Sequence, residues 1–551
     1  YSFAADSSLP DGVAPPPRYV EDQVLVAFQP GTPAETMRSV HAQNGGQVLR
    51  TVDAIGMQVV NIKAGTVLEK VAAYSRNPNV RYAEPNYLRV MIIPDEGSDP
   101  PPPQGLGISY FDEQYGLHNT GQSFYYDETT GAPGGITGTA DADIDAPEAW
   151  DLITDNAAIK IAVLDSGVDF THPDLDGKLV ENINFGPSPT TDDVIGHGTL
   201  VAGVAAAETN NNLGIAGVGW GASLGSLKVC YEYPSVDYPL LGLCDSAASA
   251  EAMTYAADNG YHVVNMSYSG PGPASTAESD AAAYAWANGV VLVAAAGNGY
   301  SISEGYPAAL PEVIGVAATD WYDNLASFSN FDPAWVSLAA PGVQTFATFP
   351  QLACPQIDPN GCYGWASGTS FSSPHVAGAA ALVWAYQGAS ATPQSVRDAL
   401  ENGADTTGAW GQNFLAWTAH GRLNAHGALT GGTPPPPPPA GDTVHVGDLD
   451  GISINQGSTW RADVTVTVHD ENETNVSGAT VSGTWSGGYT GPGNCQTSAG
   501  TCVISSGDIL KKNASTTFTI NGIVAEGYTY TGSSNHDADG DSNGTSITVT
   551  K

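Results

Sequence analysis

The chain has 551 residues, of which 17 are basic and 57 acidic, giving a formal charge of −40. That length points to roughly three or four folded units. So negative a surface cannot neutralise phosphates broadly, which excludes nucleic acid as a partner, and no apolar run reaches the roughly 18 residues of a membrane-spanning helix. The acidity reads as a solvated surface, with adaptation to salt water and cation binding at acidic loops as the sharper alternative. The chain opens at Tyr1 without a basic and apolar leader, so any signal peptide is expected to have been removed.

In chain order, residues 18–92 begin with DQVLVAF and continue to GMQVVNI, whose β-branched alternation predicts two strands. Between them ETMRSVHAQNG reads as a helix ended by a glycine pair, and VLEKVAAYSRNPNV as a second. With VRYAEPNYLRV following, this is a small α/β domain. Residues 93–105 carry consecutive prolines and form a linker without regular structure. In residues 106–430, IKIAVLDSG, YHVVNMSYS, GVVLVAAAGN and VIGVAAT are nearly continuous apolar strands, as in a parallel sheet buried on both faces. The Ala-rich stretches GHGTLVAGVAAAE, SAASAEAMTYAADNG and ASTAESDAAAYAWANG read as helices between them. The fold class is therefore α/β, with a doubly wound, mostly parallel sheet. Residues 431–441 are a polyproline spacer. Residues 442–551 change to short alternating runs such as WRADVTVTVHD and STTFTING, which predict an all-β sandwich of roughly seven strands.

The cysteines form three close pairs, Cys230/Cys244, Cys354/Cys362 and Cys495/Cys502. None has zinc-ligand spacing. Local pairing makes three short disulfide loops, which implies an oxidising, extracytoplasmic setting.

Three polar residues stand where a buried sheet calls for apolar ones or where helices begin. Asp165 ends IAVLD, at the carboxyl end of a strand, where such folds place ligands. His197 in GHGT and Ser370 in SGTSFSSPHVAG each open a helix next to a glycine that admits close backbone approach. Serine is a weak nucleophile unless an imidazole takes its proton and a buried acid fixes the tautomer. At a helix start its own N–H also faces a developing oxyanion, and Asn298, closing VVLVAAAGN, offers a second donor. A lone Asp after a strand is more often a turn former; four co-linear motifs are not.

With VLDSGVD, GHGT, AAAGN and GTSFSSPHVAG in this order, the chain resembles the subtilisin-like serine proteases. The resemblance implies a secreted serine endopeptidase, made as an autoprocessed precursor, with Asp165, His197 and Ser370 as triad and Asn298 in the oxyanion hole. It also implies protein or peptide substrates and a monomer. One wall of the primary specificity pocket would be Ser267, Tyr268 and Ser269, the other Ala295, Ala296 and Gly297, with Gly305 near the base. A small base implies large apolar or aromatic P1 side chains, and Ser269, where the family commonly has Gly, narrows the mouth. Both walls would pair with substrate as added strands. YEYPSVDYPLLGL reads as an insertion near the outer subsites that either grips substrate or covers an edge.

The same resemblance implies structural calcium held by Asp174, Thr209, Asn211, Leu213 and Ile215, all hard oxygen donors. HDADGDSNG spaces Asp537, Asp539 and Asp541 as a calcium loop would, without the Glu of an EF-hand; an acidic turn is an equal reading. His375 is expected to be a packed helix histidine, and His172 a loop residue without a role. Residues 18–92 resemble the family's inhibitor-type propeptide through VLVAF, NPNV and YAEPNY, implying an intramolecular inhibitor cleaved off between 90 and 107. Residues 442–551 resemble Ig-like modules appended to bacterial secreted proteases. The competing class is a non-catalytic adhesin or substrate-binding scaffold on a protease-like fold.

Overall fold

The computed structural model describes residues 17–91, 110–127, 132–154, 156–232, 242–351, 362–431, 443–470, 473–525, 528–537 and 542–551. Most of both proline-rich linkers lies outside these residues. The chain divides into two compact units, Tyr1–Pro435 and Pro436–Lys551.

The centre of the first unit is an eight-stranded sheet in the order Gly421–Arg422, Leu338–Pro341, Val313–Thr319, Val291–Ala295, Val263–Met266, Lys160–Asp165, Ser223–Lys228, Leu179–Asn184. All neighbours are parallel. The first of these strands in the chain, Lys160–Asp165, sits where the winding reverses, so Asp165 ends at the topological switch point. The unbroken apolar runs have a direct cause, because successive residues feed different cores. Ile161 and Val163 pack on one face with the helices His197–Ala206 and Thr369–Gln387. Ala162 and Leu164 pack on the other with Ser246–Asp258 and Thr276–Ala287.

The amino-terminal segment forms an antiparallel sheet in the order Val80–Met91, Tyr19–Phe28, Met57–Asn61, Gln47–Val52. Two helices, Ala34–Asn44 and Val67–Ser75, cover one face. Gln47–Val52 is a strand beyond the expected pair; it lies at the sheet edge, and only Val52 is buried. The opposite face, with Leu25, Met57 and Val59, shares its core with Ser246–Asp258 and Thr276–Ala287. Strand Val80–Met91 also pairs with Gly242–Asp245, which pairs in turn with Cys230–Glu232, so one six-stranded sheet crosses from the amino-terminal segment into the large domain.

That strand completes two helices of the neighbouring domain. The Glu84 carboxylate accepts from Ser275 Oγ, Thr276 N and Ala277 N, each at 2.9 Å, at the start of Thr276–Ala287. Asn86 Oδ1 accepts from Ala247 N at 3.0 Å at the start of Ser246–Asp258. Both acceptors fill orphan donors at the positive ends of the helix dipoles. Beside them Arg89 and Glu278 form a buried ion pair at 3.1 Å.

The second unit is a sandwich of two sheets, one containing Thr443–Asn455 and Thr459–Asp470, the other Thr480–Gly487 and Ser515–Val524. Trp460 and Trp485 fill its core. Short ladders such as Ile509–Leu510 and Thr529–Tyr530 bring the described strand segments to more than the seven expected. Disulfides join Cys230 to Cys244 and Cys495 to Cys502. Cys362 is disulfide-bonded as well, and Cys354 lies outside the described residues.

Candidate active site

Asp165 and His197 meet at the switch point, both fully buried, with His197 Nδ1 2.8 Å from Asp165 Oδ1. The same oxygen accepts from Ser166 N at 2.7 Å. This approach needs glycine at 198, since a methyl there would stand 2.0 Å from the Gly167 carbonyl. His197 Nε2 has no hydrogen-bond partner among the described residues. Ser370, in the first turn of its helix, donates its hydroxyl to the Ser267 carbonyl at 2.9 Å.

Asn298 and the serine helix are locked together. Asn298 Oδ1 accepts from Thr369 N at 3.0 Å and from Thr369 Oγ1 at 2.9 Å. A methyl placed on Gly368 would lie 3.2 Å from Asn298 Nδ2 and 3.7 Å from Ser370 N. Asn298 Nδ2 and Ser370 N thus both border the space that glycine leaves open.

The expected specificity residues lie around this centre. Ser269 Oγ donates to the Ala296 carbonyl at 3.2 Å. A methyl on Gly305 would fall 2.5 Å from Ser269 Oγ and 2.7 Å from Ala296 O, so the three meet at one point. Gly270 and Tyr306 bridge the two segments through paired backbone bonds of 3.1 and 3.0 Å. Ser267 ties the wall to the serine helix, its Oγ donating to the Ser370 carbonyl at 2.7 Å. The Tyr268 side chain turns into the second core and bonds Ser249 Oγ at 2.9 Å, so it contributes only backbone to the wall. Gly297 N bonds Thr369 Oγ1 at 3.0 Å, and Ala295 is buried at the strand end. The amino-terminal segment reaches this region too: a methyl on Gly270 would meet Arg89 Cδ at 3.0 Å.

Two positioning residues escaped the sequence reading. Asp193 accepts from Ser166 Oγ (2.8 Å), Gly196 N (2.8 Å), Thr199 N (2.8 Å) and Thr199 Oγ1 (2.7 Å), tying the Asp165 turn to the start of the His197 helix. Burial raises its pKa against these donors. An acidic residue just ahead of GHGT was the available signal. Asn330 accepts from Gly299 N and Ser301 N at 3.0 Å and donates to Ala296 O at 2.9 Å, bracing the Asn298 loop. Its signal was absent, because its partners lie in another loop.

Asp174 and the 209–215 loop come together as expected. Asp174 Oδ1 accepts from Asn211 Nδ2 at 2.7 Å and Oδ2 from Ile215 N at 2.9 Å. Burial pushes the Asp174 carboxyl up to about 7, against the donors that face it. The buried carboxylate is the feature of this set that would suit calcium, since the groups facing it here are N–H donors; Thr209 holds the loop base through its hydroxyl, bonded to Ala207 O at 3.0 Å. Leu213 N closes the turn on Asn211 Oδ1 at 2.9 Å. His172 acquires a role here, bonding Cys362 O at 2.8 Å and accepting from Asp174 N at 3.1 Å. His375 packs inside its helix against Phe371 O at 2.7 Å, as expected. Asp537 accepts from Ser542 N, whereas Asp539 and Asp541 lie outside the described residues.

A family model described as the subtilase family, Peptidase S8, matches residues 156–428, and one described as the fervidolysin N-terminal prodomain matches residues 10–86. A thermophilic serine proteinase of Bacillus sp. (strain AK1) is 34% identical over 444 residues, covering 78% of this chain and 96% of that protein. Thermitase of Thermoactinomyces vulgaris is 40% identical over 287 residues, covering 52% and 93% respectively. The crystal structure of fervidolysin from Fervidobacterium pennivorans, a keratinolytic enzyme related to subtilisin, superposes with a TM-score of 0.56 at 24% identity, over 93% of this chain and 72% of that one; this is a likeness of fold. Among the described residues no helix is long and apolar enough to cross a membrane.

Proposed function

Because the chain belongs to the subtilase family of serine endopeptidases, we propose that Asp165, His197 and Ser370 hydrolyse peptide bonds together, with Asn298 in the oxyanion hole. The reading rests chiefly on the buried 2.8 Å contact of His197 Nδ1 with Asp165. Ser370 Oγ attacks the scissile carbonyl carbon as its proton passes to His197 Nε2. Asp165 holds the Nδ1–H and stabilises the imidazolium, which then protonates the leaving amine; water repeats the sequence to release the acyl group. Before attack the Ser370 hydroxyl leaves the Ser267 carbonyl and turns to Nε2, a rotation about one side-chain bond. Ser370 N–H and Asn298 Nδ2 receive the oxyanion.

The pocket between residues 267–269 and 295–297 accepts large apolar or aromatic P1 side chains, with the Ser269 hydroxyl limiting its width. Residues 18–92 act as the chain's own inhibitor before cleavage beyond Met91. The disulfides and acidic surface suit secretion, and calcium at Asp174 and the 209–215 loop stabilises the domain. A serine-directed sulfonyl fluoride tests the centre: mature protein should gain one adduct, located on Ser370 by peptide mass. A parent enzyme that hydrolyses casein yet stays unlabelled at Ser370 would falsify the assignment. Asn298→Ala should lower kcat by about 10²–10³ with little change in KM.

A further inference from the structure

The second unit contains a cluster that the protease chemistry does not use. His445, His469, Glu473 and His536 bring one ligand atom each to within 4.8 Å of one another, the one such group of His, Cys, Asp or Glu among the described residues. The fold builds it deliberately. His445 and His469 are directly opposite in the antiparallel pair Thr443–Asn455 and Thr459–Asp470, so their side chains share a face. Glu473 follows one turn later, its Oε2 3.0 Å from His469 Nδ1. His536 N donates to the Val446 carbonyl at 2.9 Å, which seats the third imidazole beside the first.

Two observations separate this from a chance surface ion cluster. His445 is 3% exposed, and both its ring nitrogens are buried without a hydrogen bond. An imidazole normally satisfies at least one nitrogen when buried, and a ligand would supply that partner. Gly447 sits at the bulge between Val446 and Asp448, and a methyl there would stand 2.2 Å from His469 Nδ1, so the backbone is hollowed where that ring lies. Glu473 Oε1 is 3.4 Å from His445 Nε2, and Glu473 Oε2 is 3.3 Å from His536 Nε2. The two distances from Glu473 Oε2, 3.0 Å to His469 Nδ1 and 3.3 Å to His536 Nε2, are close to the edge of a tetrahedron with bonds of about 2.0–2.1 Å, roughly 3.3 Å. His536 Nδ1 lies 3.3 Å from the Ser534 carbonyl, an outer contact that leaves Nε2 as the inward nitrogen.

We propose that His445, His469, His536 and Glu473 bind one Zn2+ ion in a tetrahedral site of three imidazoles and one carboxylate. With all four positions filled by protein, the site is structural. It staples the first two strands of the sandwich to the loop before its last strand. This zinc is separate from the calcium expected in the protease domain, whose ligands are all oxygens.

The test uses the full chain carrying Ser370→Ala, so that it does not digest itself. It is stripped with chelator, re-equilibrated with excess Ca2+ and micromolar Zn2+, desalted, and its metal counted by mass spectrometry. The expected result is one zinc per chain, falling by at least tenfold in occupancy in the Glu473→Gln/His536→Asn double variant. Both positions are exposed enough for the variant to fold, which circular dichroism would verify. Cobalt in place of zinc should give the intense visible absorption of a tetrahedral ion in the parent and not in the variant. A parent that retains no zinc overturns the proposal. So does zinc retained equally by a folded double variant, or a cobalt spectrum typical of six-coordination.

Discussion

At Asp193 donors from the Asp165 turn and from the backbone ahead of His197 converge on a single buried carboxylate. Asp193→Asn replaces one acceptor oxygen by a donor that faces other donors, so about 2 kcal/mol or more of stability should be lost. Chemical denaturation of the Ser370→Ala form would measure it, and the active form should lose kcat more than it gains KM. His172 and His375 each add to the loss of stability in acid. Burial lowers both pKa values from 6.5 to about 4, so the folded state refuses protons that the unfolded chain accepts below 6.5. Their contribution is full above about 6.5 and is lost as the pH falls towards 4, on the order of 3 kcal/mol each. Thermal melts should therefore show the His375→Gln variant closing its stability gap with the parent between pH 6.5 and 4; a gap that stays constant would refute the assignment. At Ser269, glycine would remove the hydroxyl that now reaches Ala296 O. With peptide substrates varied at P1, Ser269→Gly should raise kcat/KM for Phe or Tyr over Ala by roughly tenfold, the scale of one or two methylenes of pocket space.

Among the elements, Val80–Met91 joins the amino-terminal sheet to the large domain, pairing with Tyr19–Phe28 on one side and Gly242–Asp245 on the other. Glu84→Ala strips one carboxylate from three donors at the start of Thr276–Ala287, and should weaken the hold of the amino-terminal segment by about 1–3 kcal/mol. Inhibition of mature enzyme by the separately added segment, wild type against variant, would register this as a rise in Ki. The central strands were legible because burial on both faces leaves a continuous apolar signature, and the helices between them because alanine and capping residues mark them. Gln47–Val52 was not, since an exposed edge strand carries no hydrophobic alternation. Nor could Glu84 and Asn86 be recognised as caps, because the helices they serve lie in another part of the chain. The residues proposed as the triad were readable from local motifs, whereas Asp193 and Asn330 act through contacts that only the fold creates. The histidines at 445, 469 and 536 stayed invisible for the same reason: strand register and a returning loop, not spacing, bring them together.

For the molecule as a whole, the six-stranded sheet spanning the amino-terminal segment and Gly242–Asp245 changes what activation means. The proposed cut beyond Met91 would break one covalent bond and leave the strand pairing, the two helix caps and the Arg89–Glu278 contact in place. Chain scission and the appearance of activity should then be distinct events. Freshly cleaved enzyme is expected to show a lag in progress curves, shortened by a trace of mature enzyme that digests the released segment. Coincident cleavage on gels and onset of turnover would contradict this. Once the segment departs, Gly242–Asp245 becomes an edge with a row of open amides and carbonyls. An incoming substrate in extended form offers the same backbone groups that the inhibitor withdrew. On the proposed reading, departing segment and extended substrate would compete for that edge, and the enzyme's early working life would be governed by how quickly its first guest is destroyed.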